Sequence, residues 1–149
     1  MVVRPDLKQI LQYKHPQVIA AFKRDHPNSA VNAEDLFQEM LKFLWISWKH
    51  AHDKKEHPYD ESLNFLLVMH EEMREIDNMW HNFILYTRDY TDFCMNVFGE
   101  YFHHEPDIAE TNPQSIDEFT EDLEKFLFYT YDQLGEATVR SWFAPHLAN

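Results

Sequence analysis

Glycine is almost missing from this chain: among 149 residues it stands only at positions 99 and 135. Tight hairpins and left-handed turns lean on glycine, so a fold of many short strands is disfavoured and helices are expected. Cysteine is scarcer still, with Cys94 alone. A single thiol closes no intramolecular disulfide, which fits a reducing compartment. Long apolar runs are lacking as well. Stretches such as 65–69 and 43–46 fall far short of the roughly 20 residues that cross a bilayer. The start, Met1-Val-Val-Arg-Pro-Asp, has neither an apolar core nor a small-residue cleavage pattern, so no signal peptide is expected. These absences point to a soluble cytoplasmic protein without membrane association, although a host-delivered bacterial effector would carry the same marks. No serine nucleophile elbow, P-loop or dinucleotide fingerprint is present either.

What is there is apolar and aromatic. Apolar residues make up 44% of the chain and aromatics 15%, enough for a well-packed interior and against disorder. The length suits one domain over 1–149, with an all-α fold: a single compact bundle of about five to six helices. The net charge is −13, unevenly spread. Residues 1–57 carry nine Lys/Arg against seven Asp/Glu, while residues 58–149 carry four against nineteen. An acidic half repels phosphate backbones, so nucleic acid is not expected as a partner. A basic protein or a cation fits it better, and a merely solvated acidic surface explains it too.

Along the chain, 5–22 reads as one helix or two broken near Pro16. Asn32 is a plausible N-cap for a long helix whose Leu36, Phe37, Met40, Leu41, Leu44, Trp45 and Trp48 recur at helical spacing. The Lys/His-rich stretch 49–58 reads as a polar loop, so His50, His52 and His57 are expected at the surface; His15 and His26, each before Pro, mark turns. Residues 63–69 suit either a short strand or a helix entry. A central helix is expected over 70–86, a break at 87–89, then a helix over 90–98 closed by Gly99. Residues 101–113 read as loop. Ser115-Ile-Asp-Glu118 is a capping box opening the next helix, and a last helix is expected over 133–142.

The central helix carries the candidate chemistry. At about 100° per residue, Met69, Met73, Ile76, Trp80, Phe83 and Ile84 share one face. His70, Asp77 and His81 line its border if the helix is continuous from 70, with Asn82 in a more exposed position. Asp77 and His81 should then be half-buried beside Trp80. A half-buried carboxylate needs compensation. Three forms are open: a divalent metal bridging Asp77 and His81, a protonated His81 paired with Asp77, or Arg74 or Arg88 reaching across. His103 and His104, about two dozen positions on, supply further imidazoles. Asp77, His81, His103 and His104 together give three or four N/O ligands, the number a zinc site needs. Neighbouring histidines point different ways, so one would ligate and the other orient. The opposing explanation is structural: His104, before Glu105-Pro106, hydrogen-bonds backbone at a turn. Cys94, mid-helix, reads as a small buried hydrophobe.

The run Asp77-Asn-Met-Trp80-His81 with Thr87 and Tyr90, then Gly99-Glu-Tyr-Phe-His103-His104-Glu-Pro106, resembles the bacterial members of the glycine-rich-domain-containing-protein-like family, a domain of unknown function. The likeness rests on an Asp-x-x-Trp-His core and a His-His-x-Pro ending, over about 66–106. It implies a helical domain and singles out Asp77, Trp80, His81, Tyr90 and His104, without bringing an activity. Plant members are similar at the core only, and this chain lacks a glycine-rich tail.

Two functions of different classes follow. In the first, the protein binds zinc or another divalent metal, ferrous iron being the competitor, and is hydrolase-like, with Glu72 or Glu105 as a base. In the second, it is a non-catalytic interaction module: the Asp77–Trp80–His81 cluster locks helices together and the acidic stretch 105–124 docks a basic partner. An effector-type or toxin-neutralising adaptor is a third reading, supported by acidity alone. The residues specify neither substrate nor reaction.

Overall fold

The computed structural model describes residues 5–104 and 115–147, with side chains as far as 143. Among these the chain forms α-helices and no strand, as the scarcity of glycine leads one to expect. There are seven, slightly more than five to six: α1 (Leu7–Ile10), α2 (Pro16–Asp25), α3 (Ala33–Glu56), α4 (Arg74–Leu85), α5 (Thr87–Phe98), α6 (Ile116–Leu134) and α7 (Glu136–Leu147). Two 3-10 turns, Glu61–Leu63 and Glu71–Met73, lie between α3 and α4.

Local chemistry explains most boundaries. Asp6 caps α1, and Asn32 Oδ1 accepts from Asp35 N–H at 3.0 Å to open α3. Ser115 Oγ accepts from Glu118 N–H at 3.1 Å, so the capping motif does start α6. Gly99 takes φ 77° after the last turn of α5, a left-handed position that a β-carbon disfavours. The first segment is two helices, with Pro16 in the first turn of α2.

Other boundaries differ from expectation. The stretch 49–58 is not a loop up to its end: α3 continues to Glu56. Nor is there a break at 87–89, because α5 begins at Thr87, one residue after α4 and Tyr86. The central helix starts at Arg74, since Met73 N–H bonds back to the His70 carbonyl at 2.9 Å in a 3-10 turn. Residues 64–70 are irregular, and α7 starts only after Gly135. The expectations for Glu105, Pro106 and the rest of the loop to 113 lie outside the described residues.

The chain packs as two compact units: residues up to 45 with 74–103, and residues 46–73 with 104 onward. The first has an aromatic core. Tyr13 stacks on Phe93 with ring centres 4.7 Å apart, and Phe37 and Phe83 close around it. Val18, Met40, Leu41, Met79, Phe83 and Tyr90 are wholly buried there, each large apolar side chain contributing roughly 1.5–3 kcal/mol. In the second unit α6 packs on α7, and α7 on the 71–73 turn. Its core gathers Phe65, Phe126, Tyr129, Trp142 and Phe143. His50 belongs to that core, against Phe65 at 4.2 Å. No described helix is long and apolar enough to cross a membrane.

Candidate metal centre

Helix α4 owes its orientation to its apolar face. Ile76, Met79, Trp80 and Phe83 are buried, which leaves Asp77 and His81 at the edge of that face, one turn apart. Asp77 is half-buried as expected, whereas His81 is exposed. Asn82, read as more exposed, is buried.

The segment after α5 is drawn to this edge by a short hydrogen-bonded chain. Trp80 Nε1–H donates to the Tyr90 hydroxyl at 2.9 Å, and that hydroxyl donates to the Phe102 carbonyl at 2.6 Å. The Phe102 ring meets the edge of Trp80 at 6.0 Å and tilts against Phe98 at 5.7 Å. Burial raises the Tyr90 phenol well above its ordinary range, so it stays protonated and keeps donating. Burial likewise pushes the Cys94 thiol up, partly offset by the Phe102 N–H and the Tyr90 hydroxyl. A protonated, enclosed thiol is packing material and not a nucleophile.

Two residues beyond Phe102 comes His104, joined directly to the end of the first unit. Asp77, His81 and His104 each present one ligand atom, and these atoms all lie within 4.8 Å of one another. Tetrahedral zinc, with bonds of 2.0–2.1 Å, spaces its ligand atoms roughly 3.3 Å apart. Modest side-chain rotation would therefore close the set around one ion. A carboxylate and two imidazoles suit zinc or ferrous iron, and exposure of His81 leaves the solvent side open for water.

His103 is not part of this group. It is exposed, with its ring 4.7 Å from that of Tyr101. His70 does not line up with Asp77 and His81, because the 3-10 turn breaks the helical register. It is buried in the second unit among Phe119, Phe126 and Phe143.

Three features escape the sequence reading. His15 is buried and caps α2: its Nδ1 accepts from Val18 N–H, so Nε2–H donates to Asp89 at 2.8 Å. Pro16 in the first turn was the available signal, since it marks the preceding residue as a cap. His50 Nε2–H donates to the Leu63 carbonyl at 2.9 Å, and the spacing Phe43–Ile46–His50 continues the buried stripe of α3. A cleft of about 470 Å³ beside α1 and α5 has Asp6, Tyr13, Asp89 and Asp92 in its wall, none of them from the cluster.

A family model matches residues 7–119, well over half of the chain. The chain belongs to the UCP032817-like family. The matched span holds α1 to α5 and the three clustered residues, and the family's description names no activity. The resemblance to the glycine-rich-domain-containing-protein-like family is thereby overturned, since nothing in the comparisons points to it. The shared residues explain why a short motif misleads. Gly99 is a helix C-cap, and Trp80 with Tyr90 is a buried hydrogen-bonded pair; unrelated helical folds use the same devices. No curated protein and no solved structure matches the chain.

Proposed function

We propose that this protein binds a divalent metal ion through Asp77, His81 and His104, zinc first and ferrous iron second. The observation that carries this reading is the convergence of three ligand atoms within 4.8 Å, two from one helix turn and one from the segment after Gly99. His103, the residue before His104, lies against Tyr101 and stands as an orienting neighbour. Three protein ligands leave a coordination position for water, the arrangement of hydrolytic zinc sites, and this supports a hydrolase-like reaction class.

Elemental analysis of the purified protein beside His81→Ala and His104→Ala tests it. One zinc or iron per chain is expected in the wild type, with metal held weakly enough in each variant to be lost on purification while helix content stays unchanged. Zinc at about a hundred times its Kd should add about 2.7 kcal/mol of stability, and a chelator should remove it. A metal-free wild type whose thermal transition ignores zinc and chelator alike would end this reading.

A second reading has its own observation. On α6, Phe128 and Tyr131 are 71% and 55% exposed on a helix that also bears Asp117, Glu118, Glu121, Asp122 and Glu124. Exposed aromatics among carboxylates suit a basic, amphipathic protein partner. Binding to such a partner should weaken as salt rises; salt-independent affinity would count against it.

A further inference from the structure

We infer that the Tyr90 hydroxyl is the positioning group that sets how tightly the Asp77/His81/His104 cluster holds a divalent ion. This rests on the metal-binding reading above and goes on to say what controls the site. The two ligands on α4 are pre-aligned by the helix. The third is on residues 101–104, which form neither helix nor strand. That segment is held at its midpoint by the 2.6 Å bond from Tyr90 to the Phe102 carbonyl, with Trp80 Nε1–H orienting the hydroxyl from the other side, and by the Phe102 ring against Trp80 and Phe98. Consecutive Cα atoms are about 3.8 Å apart, so two residues leave His104 little room to stray once Phe102 is held.

Removing the hydroxyl strips a partly buried carbonyl of its donor and loosens the placement of the segment. The ion must then order His104 at its own expense, and affinity falls. Outer groups that orient ligands typically matter by 10- to 100-fold in metal affinity. Tyr90→Phe removes only the oxygen. The ring keeps its edge contact with Phe83 at 5.0 Å and with Tyr101 at 5.5 Å.

The experiment is a double-mutant cycle on the full chain, with zinc affinity measured by competition against a chromophoric chelator. Wild type, Tyr90→Phe, His104→Ala and the double variant are compared, with urea unfolding run alongside. Tyr90→Phe should bind zinc about tenfold or more weakly, yet have no further effect once His104 is gone, because it acts only through that ligand. A merely structural role would lower stability and weaken zinc equally in both backgrounds, which would overturn the inference. So would Tyr90→Phe binding like wild type. A wild type that takes up no zinc overturns the metal reading itself, a result distinct from either. Should Tyr90→Phe not fold, Trp80→Phe, which removes the orienting donor, takes its place. The same tenfold loss confined to the His104 background is then expected, and wild-type affinity or an equal loss in both backgrounds overturns the inference.

Discussion

His50 shows how one side chain ties pH to stability. Its imidazole is buried against Phe65 and Tyr129, and burial lowers its pKa from the ordinary 6.5, more than its bond to the Leu63 carbonyl raises it. The folded state therefore prefers the neutral ring. Above about pH 6.5 the ring is neutral folded or unfolded, and its contribution to stability is complete. Below that the unfolded chain takes up the proton first, so stability falls as the pH drops toward the folded pKa. Urea midpoints between pH 7 and 5 should decline more steeply for wild type than for His50→Gln, which keeps a donor for Leu63. Equal slopes would show that His50 contributes nothing to the acid limb. The neighbouring hydroxyl of Tyr129 donates to Asp53 at 2.7 Å, and Lys49 completes the set at 3.0 Å. Lys49 and Asp53 stand one helical turn apart, but the Tyr129 link is not written in local spacing. A lysine/histidine-rich run reads as solvated until something packs over it.

At the scale of elements, caps decide where helices begin. The Ser115 hydroxyl satisfies the Glu118 N–H at the start of α6, and Ser115→Ala should cost about 1 kcal/mol, measured as a lower urea midpoint with unchanged slope. No change would mean that solvent satisfies that end equally well. Caps at Asn32, Ser115 and Gly99 are legible because they are contacts within four residues. The start of α4 is not, since residues 70–73 suit a helix by composition alone. His70 sits among three phenylalanine rings of the second unit, and a 3-10 turn there sets α4 into its own register. The merger of 87–89 into α5 has the same character: with Tyr90 wholly buried, the helix that carries it extends back to Thr87.

At the scale of the molecule, α3 matters most. It runs unbroken over Ala33–Glu56, and no residue from 36 to 50 is exposed. Its first part belongs to one compact unit and the rest to the other. Unfolding one unit therefore frays the helix on which the other is built. Urea unfolding followed by tryptophan fluorescence and by helical circular dichroism should give coincident single transitions. Two separated transitions would mean that the units unfold independently.

By itself the sequence determined the helical class, most of the caps and the Asp77–His81 pair, since each depends on composition or on residues within a turn of one another. Only tertiary structure decided that His104 joins that pair while His103 turns to Tyr101, and that His15, His50 and His70 are buried. The reason is distance along the chain. Hydrogen bonds such as Trp80 to Tyr90 to Phe102 and aromatic neighbours such as Phe126 are chosen by packing between elements, and no local spacing encodes which face will be covered.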